Sequence, residues 1–204
     1  MNINIKTFDE WALDGRDESM EKGHKKSVQK MFEYIEKKTN ILNKPFSFMD
    51  LGCGNGWVVR KIKKNKNCIY AKGVDGAKNM IDKAKKKNIG DFILEDIQNL
   101  KFKEKYDIIF SMETFYYFSN PKKIIKNINK NALNNKGICI IGIDHYIENK
   151  STLNWDKEYN LDLNSKTISE WKELFKNSKF KNVKSFTVNK KENWNGTLII
   201  VAEK

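Results

Sequence analysis

The chain has 204 residues, a formal net charge of +13 and only two prolines. That length favours one domain with a substantial buried core, and no apolar run approaches the roughly 18 residues that a membrane span needs. The opening MNINIKTFDEW lacks the basic start and apolar stretch of a signal peptide, and Cys53, Cys68 and Cys139 have no metal-ligand spacing, so a cytoplasmic setting without membrane association or a bound metal is expected.

A polyanion-binding face requires clustered basic residues. Here the lysines are spread over most predicted helices, as in Lys61, Lys63 and Lys64, Lys83, Lys85 and Lys86, or Lys122, Lys123 and Lys126. The charge therefore reads as solvated surface, and nucleic acid stays open as a partner without being favoured. Arginine occurs only at positions 16 and 60. Where a plain positive charge suffices this composition supplies lysine, so Arg16 is a candidate for a place that needs a planar fork, such as a carboxylate clamp; chance survival explains it equally.

In chain order, apolar residues Met20, Val28, Met31, Phe32 and Ile35 give residues 17–38 a helical period. Residues 46–51 read as a buried strand, followed by a glycine turn and a helix through about residue 65. Residues 68–74 form a second strand, 77–88 a helix with Met80, Ile81 and Ala84 inward, 91–95 a short third strand and 106–111 a fourth. Asn120-Pro121 opens a helix, with proline at its first position, and residues 138–143 make a continuous apolar fifth strand. Thr167-x-x-Glu170 has capping-box spacing and starts a helix carrying Ile168, Trp171, Leu174 and Phe175. Residues 183–188 and 197–202 are two final strands joined through Asn195-Gly196.

This alternation predicts an α/β fold: a doubly wound, mostly parallel, seven-stranded sheet with helices on both faces and an antiparallel C-terminal edge hairpin. One domain is expected over 1–204, with residues 1–42 as a helical cap and 46–204 as a Rossmann-like core. The long polar connection 145–166, with Trp155 and Tyr159, reads as a lid or as an ordinary surface loop.

The strongest chemical signal is Asp50-Leu51-Gly52-Cys53-Gly54-Asn55-Gly56, directly after an apolar strand and before a helix. Glycines at 52, 54 and 56 permit a tight turn with positive φ and let a ligand lie against bare backbone, beside a helix N-terminus with free N–H groups. A dinucleotide site wants a glycine at position 57, where this chain has Trp57, and no Gly-Lys-Ser/Thr follows for a P-loop.

These residues resemble the class I S-adenosylmethionine-dependent methyltransferases, whose first motif is an acidic residue followed by Gly-x-Gly-x-Gly. The resemblance covers about residues 46–143 and implies S-adenosylmethionine as cofactor and S-adenosylhomocysteine as product. It implies that Asp50, Gly52, Gly54 and Gly56 form the cofactor turn and that Asp75, followed by Gly76, accepts from the ribose hydroxyls. Met80 is then expected near adenine, with Asp96 and the Ile97 N–H on its edge. The segment YDIIFSMETFYYF resembles the strand-four region lining the methyl-transfer site, which adds Ser111 to the cofactor set. It lacks the Asn/Asp-Pro-Pro-aromatic run of enzymes that methylate exocyclic base nitrogens.

The acceptor side draws on three places: Trp11 to His24, Glu113 to Tyr117, and Asp144-His145-Tyr146. The first is similar to an N-terminal signature in a little-characterised subset of the same family, and adds Arg16 to the cofactor set. His24 and His145 are the general-base candidates, because a neutral imidazole can take the proton an O- or N-nucleophile sheds; each is otherwise a surface or capping histidine. Trp11, Glu113, Tyr116 and Tyr117 are the substrate-binding candidates, the tyrosines serving equally well as core and cleft wall. The expected function is methyl transfer to a small-molecule N-, O- or carboxylate acceptor. RNA or protein as acceptor, a non-catalytic S-adenosylmethionine-binding module, and a nicotinamide oxidoreductase disfavoured by Trp57 are the alternatives.

Overall fold

The computed structural model describes residues 2–204. Seven strands, β1 (Phe46–Leu51), β2 (Cys68–Asp75), β3 (Asp91–Leu94), β4 (Tyr106–Met112), β5 (Leu133–Ile143), β6 (Lys181–Val188) and β7 (Thr197–Glu203), form one sheet in the order β3-β2-β1-β4-β5-β7-β6. All pairings from β3 through to β5 are parallel, and β7 runs antiparallel between β5 and β6. The C-terminal hairpin thus lies at one edge as expected, with its second strand innermost.

Seven helices cover the sheet: α1 (Ile3–Leu13), α2 (Arg16–Lys38), α3 (Trp57–Ile62), α4 (Lys78–Lys86), α5 (Pro121–Asn127), α6 (Trp155–Tyr159) and α7 (Ile168–Asn177). The central strands are apolar on both faces, which is why they read as continuous runs. On one face, Phe48, Ile108 and Phe110 pack with Val28, Met31 and Ile35 of α2 and Val58 and Val59 of α3. On the other, Leu51, Ile109 and Ile141 pack with Ile124 and Ile125 of α5 and Trp171 and Phe175 of α7. The chain leaves β1 toward β2 and β3 and returns to β4, so the order reverses between β1 and β4. A doubly wound sheet opens a crevice at the carboxyl ends of the strands at such a reversal.

Three elements depart from expectation. Helix α1 precedes the helical period read from residue 17 and turns Ile5, Phe8 and Trp11 to the crevice; its buried residues are Asn4, Thr7 and Ala12, and its start is capped by the Asn2 side chain, which accepts from the Asn4 N–H at 2.9 Å. Strand β5 begins at Leu133 rather than Ile138, because Leu133 pairs with Tyr106 before the register shifts to Ile138 opposite Ile108. The 145–166 connection contains α6 and buries Tyr146, Asn149 and Thr152. Several of its polar groups hold it in place, as in Asn149 Nδ2 to the Asp144 carbonyl at 2.8 Å.

The capping box at α7 forms as read. The Thr167 side chain accepts from the Glu170 N–H at 3.1 Å, and the Glu170 carboxylate accepts from the Thr167 N–H at 2.7 Å. Thr167→Ala is therefore expected to lower stability by about 1 kcal/mol, visible as a lower urea midpoint at constant slope. An unmoved midpoint would mean that Trp171 and Phe175 hold α7 without help from its cap.

Candidate active site

The crevice at the strand-order reversal is a cavity of about 560 Å³. Its floor is the turn after β1. Gly52, Gly54 and Gly56 have φ of 76°, 51° and 78°, a region that side-chain-bearing residues rarely occupy. The Gly52 and Cys53 N–H groups donate to the Val74 carbonyl at 2.8 and 3.1 Å, joining the ends of β1 and β2. Asp75 ties this turn to the next helix: one carboxylate oxygen accepts from the Gly54 N–H and the other from the Ala77 N–H, each at 2.9 Å. Burial raises the Asp75 carboxyl, against the lowering effect of those N–H groups. Asp50, 2% exposed, is held well above the usual carboxylate range by burial and then by the neighbouring Asp75.

The N-terminal segment is fastened across this floor by polar contacts. Asp9 of α1 accepts from the Asn79 backbone N–H at 2.6 Å and from its side chain at 2.8 Å, at the start of α4. Asp17 of α2 accepts from Asn55 of the glycine turn at 2.9 Å and pairs with Lys83 of α4 at 2.6 Å. Asn4 donates to the Asp162 carbonyl and accepts from the Asp162 N–H, both at 2.8 Å, which fixes α1 to the segment after α6.

At the far side of the cavity, Glu113 follows β4 with φ of 57°. Its carboxylate accepts from the Tyr116 hydroxyl and the Asp144 N–H, each at 2.5 Å. Burial, then the nearby Asp144, hold its carboxyl well above the ordinary value. Burial also raises Asp144 to about 6, and its Oδ1 is enclosed without a partner among the described residues. His24 comes from α2, and burial alone pushes its imidazole down to about 4. Ligand-capable atoms of His24, Glu113 and Asp144 all lie within 4.8 Å of one another. The sequence reading found no such cluster, because its members come from three distant segments.

The cavity wall includes Asp50, Gly52, Gly54, Asp75, Gly76, Met80, Asp96 and Ile97 from the expected cofactor set, with Arg16, and Trp11, His24, Glu113, Tyr116 and Tyr117 from the expected acceptor set. Asp96 also caps the turn after it, accepting from the Gln98 N–H at 2.9 Å. Arg16 lies over the Trp11 ring at 5.4 Å rather than on a carboxylate.

Three expected residues lie elsewhere. Ser111 is fully buried and donates to the Leu51 carbonyl at 2.7 Å, so it ties β4 to β1 and does not face the cavity. Gly56 faces the protein: a Cβ there would lie 2.5 Å from the Phe92 ring and 2.9 Å from Ala84, so the close helix–strand contact falls one residue before Trp57. His145 is 1% exposed, with Nδ1 on the Thr152 carbonyl at 3.0 Å and Nε2 on Ser165 at 2.7 Å. Both nitrogens are engaged inside the 145–166 segment and the ring does not line the cavity, so the structure does not bring it to the place expected of a general base. Phe8 also lines the cavity and carries no motif, and Asp17 and Asn55, which stand within motifs read from the sequence, show their roles only through their cross-segment contact.

A family model described as a methyltransferase domain matches residues 49–141, the stretch that carries the glycine turn, Asp75, Asp96 and Glu113. Over this stretch the chain resembles a methyltransferase domain, and its seven-stranded sheet has the class I methyltransferase topology. Malonyl-[acyl-carrier protein] O-methyltransferase 2 of Ilyobacter polytropus is 30% identical over 155 residues, covering 72% of this chain and 54% of that protein. The demethylmenaquinone methyltransferase of Thermotoga maritima is 26% identical over 57% of this chain and 61% of its own length. The chain spans about 39%, 54% and 35% of the malonyl-[acyl-carrier protein] relatives from Bacillus anthracis, Ilyobacter polytropus and Priestia megaterium. Among solved structures, a methyltransferase in complex with the Haloferax volcanii Trm112 activator superposes with a TM-score of 0.77 at 24% identity, covering 96% of both chains. That likeness shows the methyltransferase fold. Among the described residues, no helix is long and apolar enough to cross a membrane.

The depressed His24 value sets a pH dependence of stability. The unfolded imidazole takes a proton near 6.5, whereas the folded one does so only near 4. Stability from this group is therefore complete above about pH 6.5 and declines as pH falls toward 4. His24→Gln is expected to flatten that part of a plot of urea midpoint against pH. An identical slope in the variant would show that His24 is not held neutral in the folded chain.

Proposed function

We propose that this cavity binds S-adenosylmethionine and that the chain transfers its methyl group to a small-molecule acceptor. The observation that carries the reading is the convergence of a bare glycine turn with Asp50, Asp75 and Asp96 on one wall of a single cavity. The donor set suits an adenosyl sulfonium compound. A half-buried carboxylate such as Asp75, with lone pairs beyond those used by Gly54 and Ala77, suits a ribose diol. Asp96 and the Ile97 N–H suit the polar edge of a purine, with Met80 against its face. Six acidic side chains, Asp17, Glu21, Asp50, Asp75, Asp96 and Glu113, face the cavity against Arg16 alone, and a cationic ligand would favour the ionised forms of Asp50 and Glu113 that burial disfavours.

When bound, S-adenosylmethionine supplies a methyl carbon already activated by its sulfonium. The protein's work is then to hold the acceptor in line and to exclude water. In this reading residues 2–42 cap the cleft of one domain: α1 and α2 lie across the glycine turn through Asp9, Asp17 and Asn4. Glu113, Tyr116, Tyr117 and Trp11 bound the acceptor space. His24, neutral above about pH 4, offers a lone pair to an acceptor N–H or O–H. The acidic wall argues against RNA at this site, since phosphate would meet it unfavourably.

Calorimetry tests the reading. S-adenosylmethionine and S-adenosylhomocysteine are expected to bind, and Asp75→Ala to weaken both by roughly a hundredfold, the loss of about two hydrogen bonds to a charged group. Tight NAD binding without response to S-adenosylhomocysteine would sink it.

A further inference from the structure

The cavity opposes the rest of the chain in charge. The protein carries +13, yet the cavity wall has six carboxylates and one arginine. Three of those acids, Asp50, Asp75 and Asp96, belong to the proposed cofactor wall. Glu113 does not, and behind it Asp144 adds a second carboxyl, 6% exposed, with Oδ1 enclosed and unpartnered among the described residues. A buried carboxylate oxygen without a donor is costly, and ligand-capable atoms of Asp144, His24 and the cavity-lining Glu113 lie within 4.8 Å of one another.

A continuous aromatic belt lines the same cavity. Trp155 meets Tyr159 at 6.2 Å, Tyr159 meets Trp11 at 5.5 Å, Trp11 meets Phe8 at 5.1 Å and Phe8 meets Tyr117 at 5.0 Å. The ring of Tyr116 continues it at 4.3 Å, and its hydroxyl reaches Glu113. Aromatic faces beside buried carboxylates attract organic cations, and Arg16 already lies over Trp11 in this way.

We infer that the methyl acceptor is an amine, received by the Glu113–Asp144 carboxyl pair and the aromatic belt. The inference rests on the methyltransferase reading above and narrows it. A carboxylate acceptor would bring another negative charge against Glu113 and Asp144. An amine does the reverse, because nitrogen gains positive charge as the methyl group arrives and the pair favours the transition state over the ground state. An entering ammonium passes one proton to the carboxyl pair, and the freed lone pair forms the N–C bond. The S–C bond breaks with its electrons left on sulfur, giving the neutral thioether of S-adenosylhomocysteine. The methylated nitrogen is left cationic and hydrogen-bonded to the pair, whose added proton passes to solvent as the product leaves, with the neutral His24 imidazole available to one of its N–H groups.

The test is a binding comparison on the whole chain saturated with S-adenosylhomocysteine, using 2-phenylethylamine and 3-phenylpropanoate, which share ring and chain and differ in charge. The amine is expected to bind at least about tenfold more tightly, and Glu113→Gln with Asp144→Asn to remove that preference while far-UV dichroism stays unchanged. Should the double variant fail to fold, the wild-type comparison decides alone. Equal affinity, preference for the carboxylate, or no amine binding at millimolar concentration overturns the inference and leaves the methyltransferase reading standing. A chain that binds no S-adenosylhomocysteine loses both. Micromolar Mn²⁺ binding that excludes the amine would assign the His24, Glu113 and Asp144 cluster to a metal ion and also overturn the inference.

Discussion

The hydrogen bond from the Gly54 N–H to the Asp75 carboxylate joins the two parts of the structure on which the site depends. It fixes the turn after β1 to the end of β2. The same carboxylate then holds the start of α4 through the Ala77 N–H. Each end of this contact is constrained by its surroundings. Gly54 reaches the geometry through a φ of 51°, in the left-handed region that glycine occupies at least cost. Asp75 is placed by β2, whose neighbour Val74 accepts from Gly52 and Cys53. The turn is thereby fixed by contacts within the protein, which is the condition for binding that does not first have to order the loop.

The N-terminal segment depends on the same pair of elements. Asp17 contacts Asn55 in the turn and Lys83 in α4, and Asp9 caps α4 through Asn79. These contacts are polar and partly buried, so they are worth more than exposed ion pairs, and they attach α1 and α2 to the site rather than to the core alone. Met31 and Ile35, farther along α2, enter the hydrophobic core beside Phe48 and Phe110. One helix thus carries His24 between a polar anchor and an apolar one, which limits how far its imidazole can move from Glu113.

The sheet was legible because its strands are apolar on both faces and its helices carry one apolar stripe. Those are the signals that periodicity detects, as with Phe46-Ser-Phe-Met-Asp-Leu51 or Ile168, Trp171 and Phe175. The glycine turn, Asp75 and Asp96 were legible because motif spacing after a strand places residues at the carboxyl edge of the sheet. Side-chain direction was not. Ser111 and His145 also stand at strand ends, yet Ser111 turns to the Leu51 carbonyl and His145 to Thr152 and Ser165. The bounds of helix α1 within the expected cap were not legible, because its apolar residues Ile5, Phe8 and Trp11 line the cavity and it buries Asn4 and Thr7 rather than a stripe against the sheet. Contacts such as Asn4 with Asp162 join residues 158 positions apart, and no local pattern records them.

The extent of the family match has a physical meaning of its own. Residues 49–141 contain the glycine turn, Asp75, Met80, Asp96 and Glu113, so likeness over that stretch concerns mainly the wall where charge and backbone suit an adenosyl group. Phe8, Trp11, Arg16, His24, Asp144, Trp155 and Tyr159 all fall outside it. These residues form most of the aromatic belt and two of the three members of the His24, Glu113 and Asp144 cluster. A pocket reads its ligand through the few polar groups that converge on it and the shape of its apolar wall. Two chains can therefore share the matched stretch and accept chemically opposite nucleophiles. Glu113 is the residue where the two halves meet: β4 supplies its position, while Asp144 and His24, from outside the match, decide which charge it can receive.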